Sequence, residues 1–350
     1  MAVALTRCAR PAIGGVSAYT VLGFAGYAAA SALAAVLFVA WELPIADRLV
    51  TAFAPPLAFL AVVSAARRIV GAERIVFYQT AVAGLAAVVV TDALVGGHVV
   101  RTLDIATVGI GVFLVFGRLG CFSVACCHGR PARFGVVYGP AHVRAGLRAR
   151  WSGRPLWPVQ LVECGASLAL VIAALVVGWD EPGVPTTVYM TGYAVVRFLL
   201  ELRRGDAERP QRLGVSEAQW TAPLTMLVVA LWRPSAPTVA VAVGLGLGLV
   251  ALIVRRRQRE LVLPPHLRDL ECAGEQARIR GERCATALGV AVTYQSLPDG
   301  NVDWVLSARH PAWSVGCARQ LADALWPGAE VVAGRTPGVV HVITRQPSRP

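Results

Sequence analysis

The sequence predicts an all-α polytopic membrane protein of about seven to eight transmembrane helices, followed by a small C-terminal α+β soluble domain. Composition is the first observation behind this reading. The 350 residues are 56% hydrophobic and only 15% charged, with a mean hydropathy of +0.58. Soluble domains run nearer to about 45–50% apolar and about 25% charged. The second is that apolar runs of membrane length recur from residue 16 to residue 254. The third is an abrupt change after Arg259, where charged, turn-rich sequence takes over. A transmembrane region over residues 1–258 and an appendage over 259–350 follow from these patterns.

The first apolar run, residues 16–41, is too long for a signal-peptide core and follows a short basic stub with Arg7 and Arg10. It reads as an uncleaved membrane helix. Further helices are expected over about 50–66, 75–95, 103–122, 158–179, 186–202, 216–232 and 238–254. Several fall short of the roughly 20 residues that a perpendicular span needs, so tilted or broken helices are expected. Pro55-Pro56 and Gly96-Gly97 read as turns rather than helix centres. In the appendage, 266–284 reads as a charged helix and 313–326 as an amphipathic one. Residues 287–294, 302–307, 329–333 and 338–344 read as strands.

The net charge of +12 comes entirely from arginine, since the chain contains no lysine. Arginines cluster in alternate loops, and the positive-inside rule then places both termini in the cytoplasm of a multi-pass inner (plasma) membrane protein. Such an excess suits anionic membrane lipid. The basic residues lie between apolar segments instead of along one soluble face, which argues against nucleic acid as a partner. The eight cysteines form no CxxC pairs and no regular disulfide framework.

The most informative stretch runs from Gly117 to Gly139. A long apolar segment ends in Arg118, and an arginine at membrane depth needs a partner. A lipid phosphate, gripped by two parallel hydrogen bonds, is the natural one. Cys121, Cys126, Cys127 and His128 follow, and they admit three readings: a thiolate metal site, a vicinal or Cys121–Cys126 disulfide, or apolar packing. No metal or cofactor is assigned from sequence. A second stretch places Arg197, Glu201 and Arg204 at i, i+4 and i+7, one face of a helix with net positive charge. Gln160 and Glu163 interrupt the start of another apolar segment, where the glutamate also suits the helix dipole. Asp92, near the end of the third segment, reads as a residue that snorkels to the interface.

These segments together resemble the prolipoprotein diacylglyceryl transferase family over about residues 15–232. The family signature is matched by Gly117-Arg118-Leu119-Gly120-Cys121-Phe122 and then Cys126-Cys127-His128-Gly129-Arg130-Pro131. A later family segment looks like Pro158-Val159-Gln160-Leu161-Val162-Glu163, and its Arg-x-x-x-Glu-x-x-Arg helix looks like Arg197 to Arg204. An early tyrosine is matched by Tyr19. The resemblance implies transfer of the diacylglyceryl group of phosphatidylglycerol to a cysteine thiol in the signal peptide of a prolipoprotein, near the outer leaflet. It implies that Arg118 and Arg197 hold the departing phosphate, while Tyr19, Gly120, Cys121, Cys126, Gly129, Gln160, Glu163, Glu201 and Arg204 shape the lipid site. Three positions depart from the pattern. Tyr78 stands where the family has a histidine, and Cys121 and Cys126 replace an asparagine and a glutamate. Tyrosine, with a pKa near about 10, is a poor base at neutral pH, so His128 is the candidate that takes over that role. The departures also fit a paralogue acting on another lipid or acceptor, or a non-catalytic lipid- or thiol/metal-binding membrane protein.

Overall fold

A computed structural model describes residues 3–8, 12–70, 77–205, 211–257, 260–310 and 312–345. It is mainly helical, with a β-rich C-terminal region. The helices are α1 (Ala18–Ala40), α2 (Ile45–Val70), α3 (Phe77–Leu94), α4 (Val99–Ser123), α5 (Pro140–Arg144) and α6 (Val159–Gly178). They continue as α7 (Val184–Glu201), α8 (Glu217–Trp232), α9 (Ala236–Arg257), α10 (Pro264–Arg280) and α11 (Val315–Leu325). Among the described residues five helices are long and apolar enough to cross a membrane: α1, α2, α4, α6 and α9. Residues Thr80–Leu94 of α3 form a shorter apolar helix. The sixteen-residue α8 and the Arg- and Glu-bearing α7 fall outside that set.

Every apolar run became a helix, but one expected break did not occur. Pro55 and Pro56 lie inside α2. Proline removes a backbone donor and crowds the preceding turn, yet membrane helices tolerate it when a neighbour packs closely. Here α3 packs against α2 at Pro55, where a side chain at Gly84 would make an ordinary contact of 3.5 Å with the proline ring. The Gly96-Gly97 turn is present, with Gly96 in the left-handed region at φ 71°.

The chain divides into two compact units, Met1–Asp206 with Ala218–Gly246, and Ala207–Glu217 with Leu247–Pro350. The core of the first is built from facing sides of α1, α4, α6 and α7, including Leu37, Phe38, Ile105, Val108, Val171 and Tyr189. Gly111 sets how closely these helices approach, because a Cβ there would lie 2.6 Å from both Tyr189 Cε2 and Val171 Cγ2. Short strands extend this unit: β1 (Val3–Cys8), the β2–β3 pair (Ala12–Ile13 and Val16–Ser17), β4 (Pro131–Tyr138) and β5 (Pro155–Leu156). In the sheet β1-β4-β5 the first pair is parallel and the second antiparallel. Val136, Tyr138, Leu147 and Leu156 form a small core with Ala125, just past the end of α4. That core fixes the loop carrying the Gly117–Gly139 motif.

The second unit holds the short pair β6 (Gln211–Arg212) and β7 (Val215–Ser216). Its main sheet is formed by β8 (Cys284–Ala285), β9 (Ala291–Ser296), β10 (Asn301–Ser307), β11 (Glu330–Ala333) and β12 (Val339–Arg345). The order is β11-β12-β10-β9-β8, antiparallel throughout. Leu270 of α10 and Leu321 and Leu325 of α11 pack on Val292, Leu306 and Val342. Gly281 ends α10 in the left-handed conformation, and the Ser314 hydroxyl accepts from Cys317 N–H at 3.1 Å to start α11.

Candidate functional site

Arg118, Glu163 and Arg197 come together at one end of the α4–α6–α7 bundle. α6 runs antiparallel to both partners, so its first turns meet the last turns of α4 and α7. Arg118 Nη2 lies 2.9 Å from Glu163 Oε1, and Arg197 Nε lies 3.7 Å from the same oxygen. Arg197 Nη2 also pairs with Glu201 Oε2 at 2.8 Å. Tyr193 donates its hydroxyl to Glu163 Oε1 at 2.9 Å. Arg118 is 5% exposed, Glu163 0% and Arg197 1%, so these charges are almost fully withdrawn from water.

Such burial is costly unless the charges are paired and their donors satisfied. The pairing is incomplete. Arg118 Nε and Arg197 Nη1 meet no acceptor among the described residues, and neither Glu163 Oε2 nor Gln160 Oε1 meets a donor. Buried polar groups are normally satisfied, so these guanidinium N–H groups can each take a further acceptor oxygen.

Arg204 arrives by a different route from the helical one expected. α7 stops at Glu201, and the chain turns to pair with the strand-like segment after α4. Gly205 N–H donates to His128 O and Arg130 N–H to Arg203 O, each at 3.0 Å, while Arg130 Nε donates to Arg204 O at 3.1 Å. Two glycines allow this approach. A Cβ at Gly205 would sit 2.5 Å from Gly129 O, and one at Gly129 would collide with the Trp157 carbonyl. Arg204, 5% exposed, lies within electrostatic reach of Glu163 all the same.

The remaining expected residues take distinct places. Gln160 Nε2 donates to Cys126 O at 2.8 Å and lies 3.4 Å from Tyr138 Oη, tying α6 to the motif loop. His128 is buried, with Nδ1 2.9 Å from Gly129 O and its ring edge-on to Trp151. Gly120 admits α1 closely, its would-be Cβ lying 3.2 Å from Tyr19 Cδ2, and Tyr19 is 45% exposed. Cys121, Cys126 and Cys127 are free thiols, so the disulfide reading does not hold in this structure. Tyr78 belongs to α3, but its side chain lies outside the described residues.

Asp92 does not snorkel. It is fully buried at the opposite end of the bundle beside Asp47, where Gly97 lacks a Cβ that would strike both carboxylates. Asp47 in turn takes His98 Nδ1 at 2.9 Å. Sequence reasoning also passed over Tyr193. Its signal was spacing, because Tyr189, Tyr193, Arg197 and Glu201 repeat every four residues on one helical face. Lower on that face, Ser167 Oγ bonds Tyr189 Oη at 2.8 Å and donates to Gly111 O at 3.0 Å. Lower still, Asp104 accepts from the Gly183 and Thr186 backbones at 2.7 and 3.0 Å.

An apolar helical bundle thus encloses an arginine–carboxylate cluster in which some guanidinium donors meet no acceptor among the described residues, within a protein of membrane character. Comparison with known proteins finds a similar family. A family model described as prolipoprotein diacylglyceryl transferase matches residues 75–233. The chain is also similar to phosphatidylglycerol–prolipoprotein diacylglyceryl transferase 2 of Clostridium perfringens (strain 13 / Type A), with 30% identity over 113 residues. That match spans 31% of this chain and 42% of the relative's length. Residues 75–233 are thus similar to the prolipoprotein diacylglyceryl transferase family, and the chain spans less than half the length of the curated relative it matches. The matched stretch holds Arg118, Glu163, Arg197, Glu201 and Arg204, and excludes Tyr19 and the main sheet of the second unit.

Proposed function

We propose that the protein is an integral membrane transferase moving the diacylglyceryl group of phosphatidylglycerol to the lipobox cysteine thiol of prolipoproteins. The observation that carries this reading is the buried Arg118–Glu163–Arg197 cluster with guanidinium donors that meet no acceptor among the described residues. Phosphatidylglycerol presents a phosphodiester anion to those donors. During transfer the acceptor sulfur loses its proton and bonds to the glyceryl carbon. The carbon–oxygen bond to phosphate breaks, and glycerol phosphate departs with the electron pair. Charge grows on the departing phosphate, where fixed cations in an apolar site stabilise it most. Arg118 and Arg197 supply that charge, Arg204 adds to it, and Glu163 and Glu201 hold the guanidinium planes in place.

The proton goes to His128. A carbonyl oxygen only accepts, so the His128 Nδ1–Gly129 O contact puts the ring proton on Nδ1 and leaves Nε2 basic. Tyr78 remains a candidate only where its surroundings lower its pKa. Gln160, Gly129 and Gly120 fix the loop and the α1 approach, while Tyr19, Cys121 and Cys126 line the lipid side. An inner-membrane location with seven to eight spans, counting α3, α7 and α8 with the longer helices, belongs to the same reading.

Complementation of a strain lacking the transferase tests it. The wild-type gene is expected to restore lipidation of a reporter precursor. Arg118→Gln is expected to remain in the membrane while lipidation falls by roughly 10²–10³-fold. Normal lipidation by that variant refutes the proposal.

A further inference from the structure

Three thiols stand beside the arginine cluster without belonging to it. Cys121 lies in the last turn of α4, and Cys126 and Cys127 in the turn that follows. Their Sγ atoms all lie within 4.8 Å of one another. On a continued helix these three positions would point in three different directions. The chain instead turns through Ala125 and Cys127 at φ 60° and 57°, a left-handed conformation that L residues rarely adopt. Gln160 holds the turn from α6 through its bond to Cys126 O, and the small core of Val136, Tyr138 and Leu156 packs on Ala125. The backbone is therefore maintained in an unfavourable shape whose visible result is the convergence of three sulfurs.

We propose that Cys121, Cys126 and Cys127 form a binding site for a thiophilic d¹⁰ metal ion, zinc or cuprous copper. An all-sulfur donor set selects soft ions over magnesium, calcium or manganese. Metal–thiolate bonds of about 2.3 Å place ligand sulfurs about 3.8–4.0 Å apart, within the spacing seen here. Binding releases the protons of the ligating thiols to solvent and changes no oxidation state. Three thiolates leave a net negative charge around either ion. Arg118 and Arg204 lie within electrostatic reach of Cys127 and offset it. His128 lies outside the cluster, since among the described residues only the three sulfurs lie within 4.8 Å of one another. Three sulfurs satisfy trigonal cuprous copper and leave the fourth position of tetrahedral zinc open, so the two ions would leave the site in different coordination states. The site does not depend on the transferase reaction.

The test uses reduced, full-length protein in detergent, loaded with zinc or, anaerobically, with cuprous copper, then desalted. Wild type is expected to retain one equivalent per chain, and cobalt in place of zinc should give a sulfur-to-metal charge-transfer band. Cys121→Ser, Cys126→Ser and Cys127→Ser should each lose most of the retained metal, whereas Cys164→Ser retains it. Wild type that retains neither zinc nor cuprous copper after desalting overturns the proposal, as does cobalt that is retained without the charge-transfer band. The retained metal of wild type, measured against protein denatured before loading, and the cobalt band stand even if a serine variant fails to fold. Thiol titration of protein isolated without reductant that shows two of the three thiols already joined also overturns it.

Discussion

At the scale of single residues, Glu163 holds the cluster together. Arg118, Arg197 and Tyr193 all converge on its Oε1, so its loss leaves the buried Arg118 without its carboxylate, while Arg197 keeps Glu201. Glu163→Gln is expected to destabilise the membrane unit by about 3–5 kcal/mol, the usual cost of an uncompensated buried charge. Tyr193→Phe removes one hydrogen bond to a carboxylate and should cost about 1.5–3 kcal/mol. Thermal unfolding in detergent should place the two variants in that order. The charged members of this cluster were readable in the sequence because ionisable groups stand out in apolar runs. The convergence on one oxygen was not, since it depends on how three helices cross.

His142 makes a second residue-scale prediction, outside the spanning segments. It is fully buried in α5, its Nδ1 accepts from Gly139 N–H at 3.3 Å, and burial holds it below the usual histidine range. The folded state therefore favours neutral His142, while the unfolded chain protonates near about pH 6.5. Its contribution to stability is complete above that pH and is lost as pH falls from there toward the lower folded value. Limited proteolysis of the 124–157 loop should accelerate below about pH 6, and His142→Gln should flatten that dependence. A wild-type loop equally resistant across the range contradicts the assignment.

At the scale of elements, two glycines two residues apart on α4 make a controlled comparison. A side chain at Gly111 meets the Tyr189 ring and Val171 at 2.6 Å, whereas Gly109 has nothing within 4 Å. Gly111→Val therefore wedges α4 away from α6 and α7, at about 1–3 kcal/mol of overpacking. The same wedge moves Arg118 relative to Arg197, and a displacement of about 1 Å costs on the order of 100-fold in rate. Gly111→Val should thus reach the membrane yet lose most lipidation, while Gly109→Val stays close to wild type. The positions of the helices were readable because apolar length is a strong signal. Pro55-Pro56 misled because the propensity penalty takes no account of packing in a membrane bundle. The end of α7 fell where expected, but the helical placement of Arg204 failed because periodicity cannot show a chain leaving a helix to pair with Gly129.

At the scale of the whole molecule, the two units draw their cores from separate residues. Leu37, Ile105, Val171 and Tyr189 serve the first, and Leu270, Val292, Leu306 and Val342 serve the second. The second unit has a five-stranded antiparallel sheet with two helices on it, so its stability rests on the apolar core buried between them. The first rests on helix packing and on its buried polar cluster, because lipid tails offer no such driving force between helices. A truncation in one core should therefore leave the other intact. Leu306, fully buried on the central strand β10, is the sharpest probe. Leu306→Ala is expected to cost about 2–5 kcal/mol, a large share of the roughly 5–15 kcal/mol that holds a domain folded. Protease digestion at rising temperature should then release the 260–345 region earlier than in wild type. The α4–α6–α7 region should keep its wild-type resistance, and lipidation by the variant should persist at temperatures where the second unit is still folded. Loss of protection in both units at one shared temperature would show that they unfold as a single cooperative body.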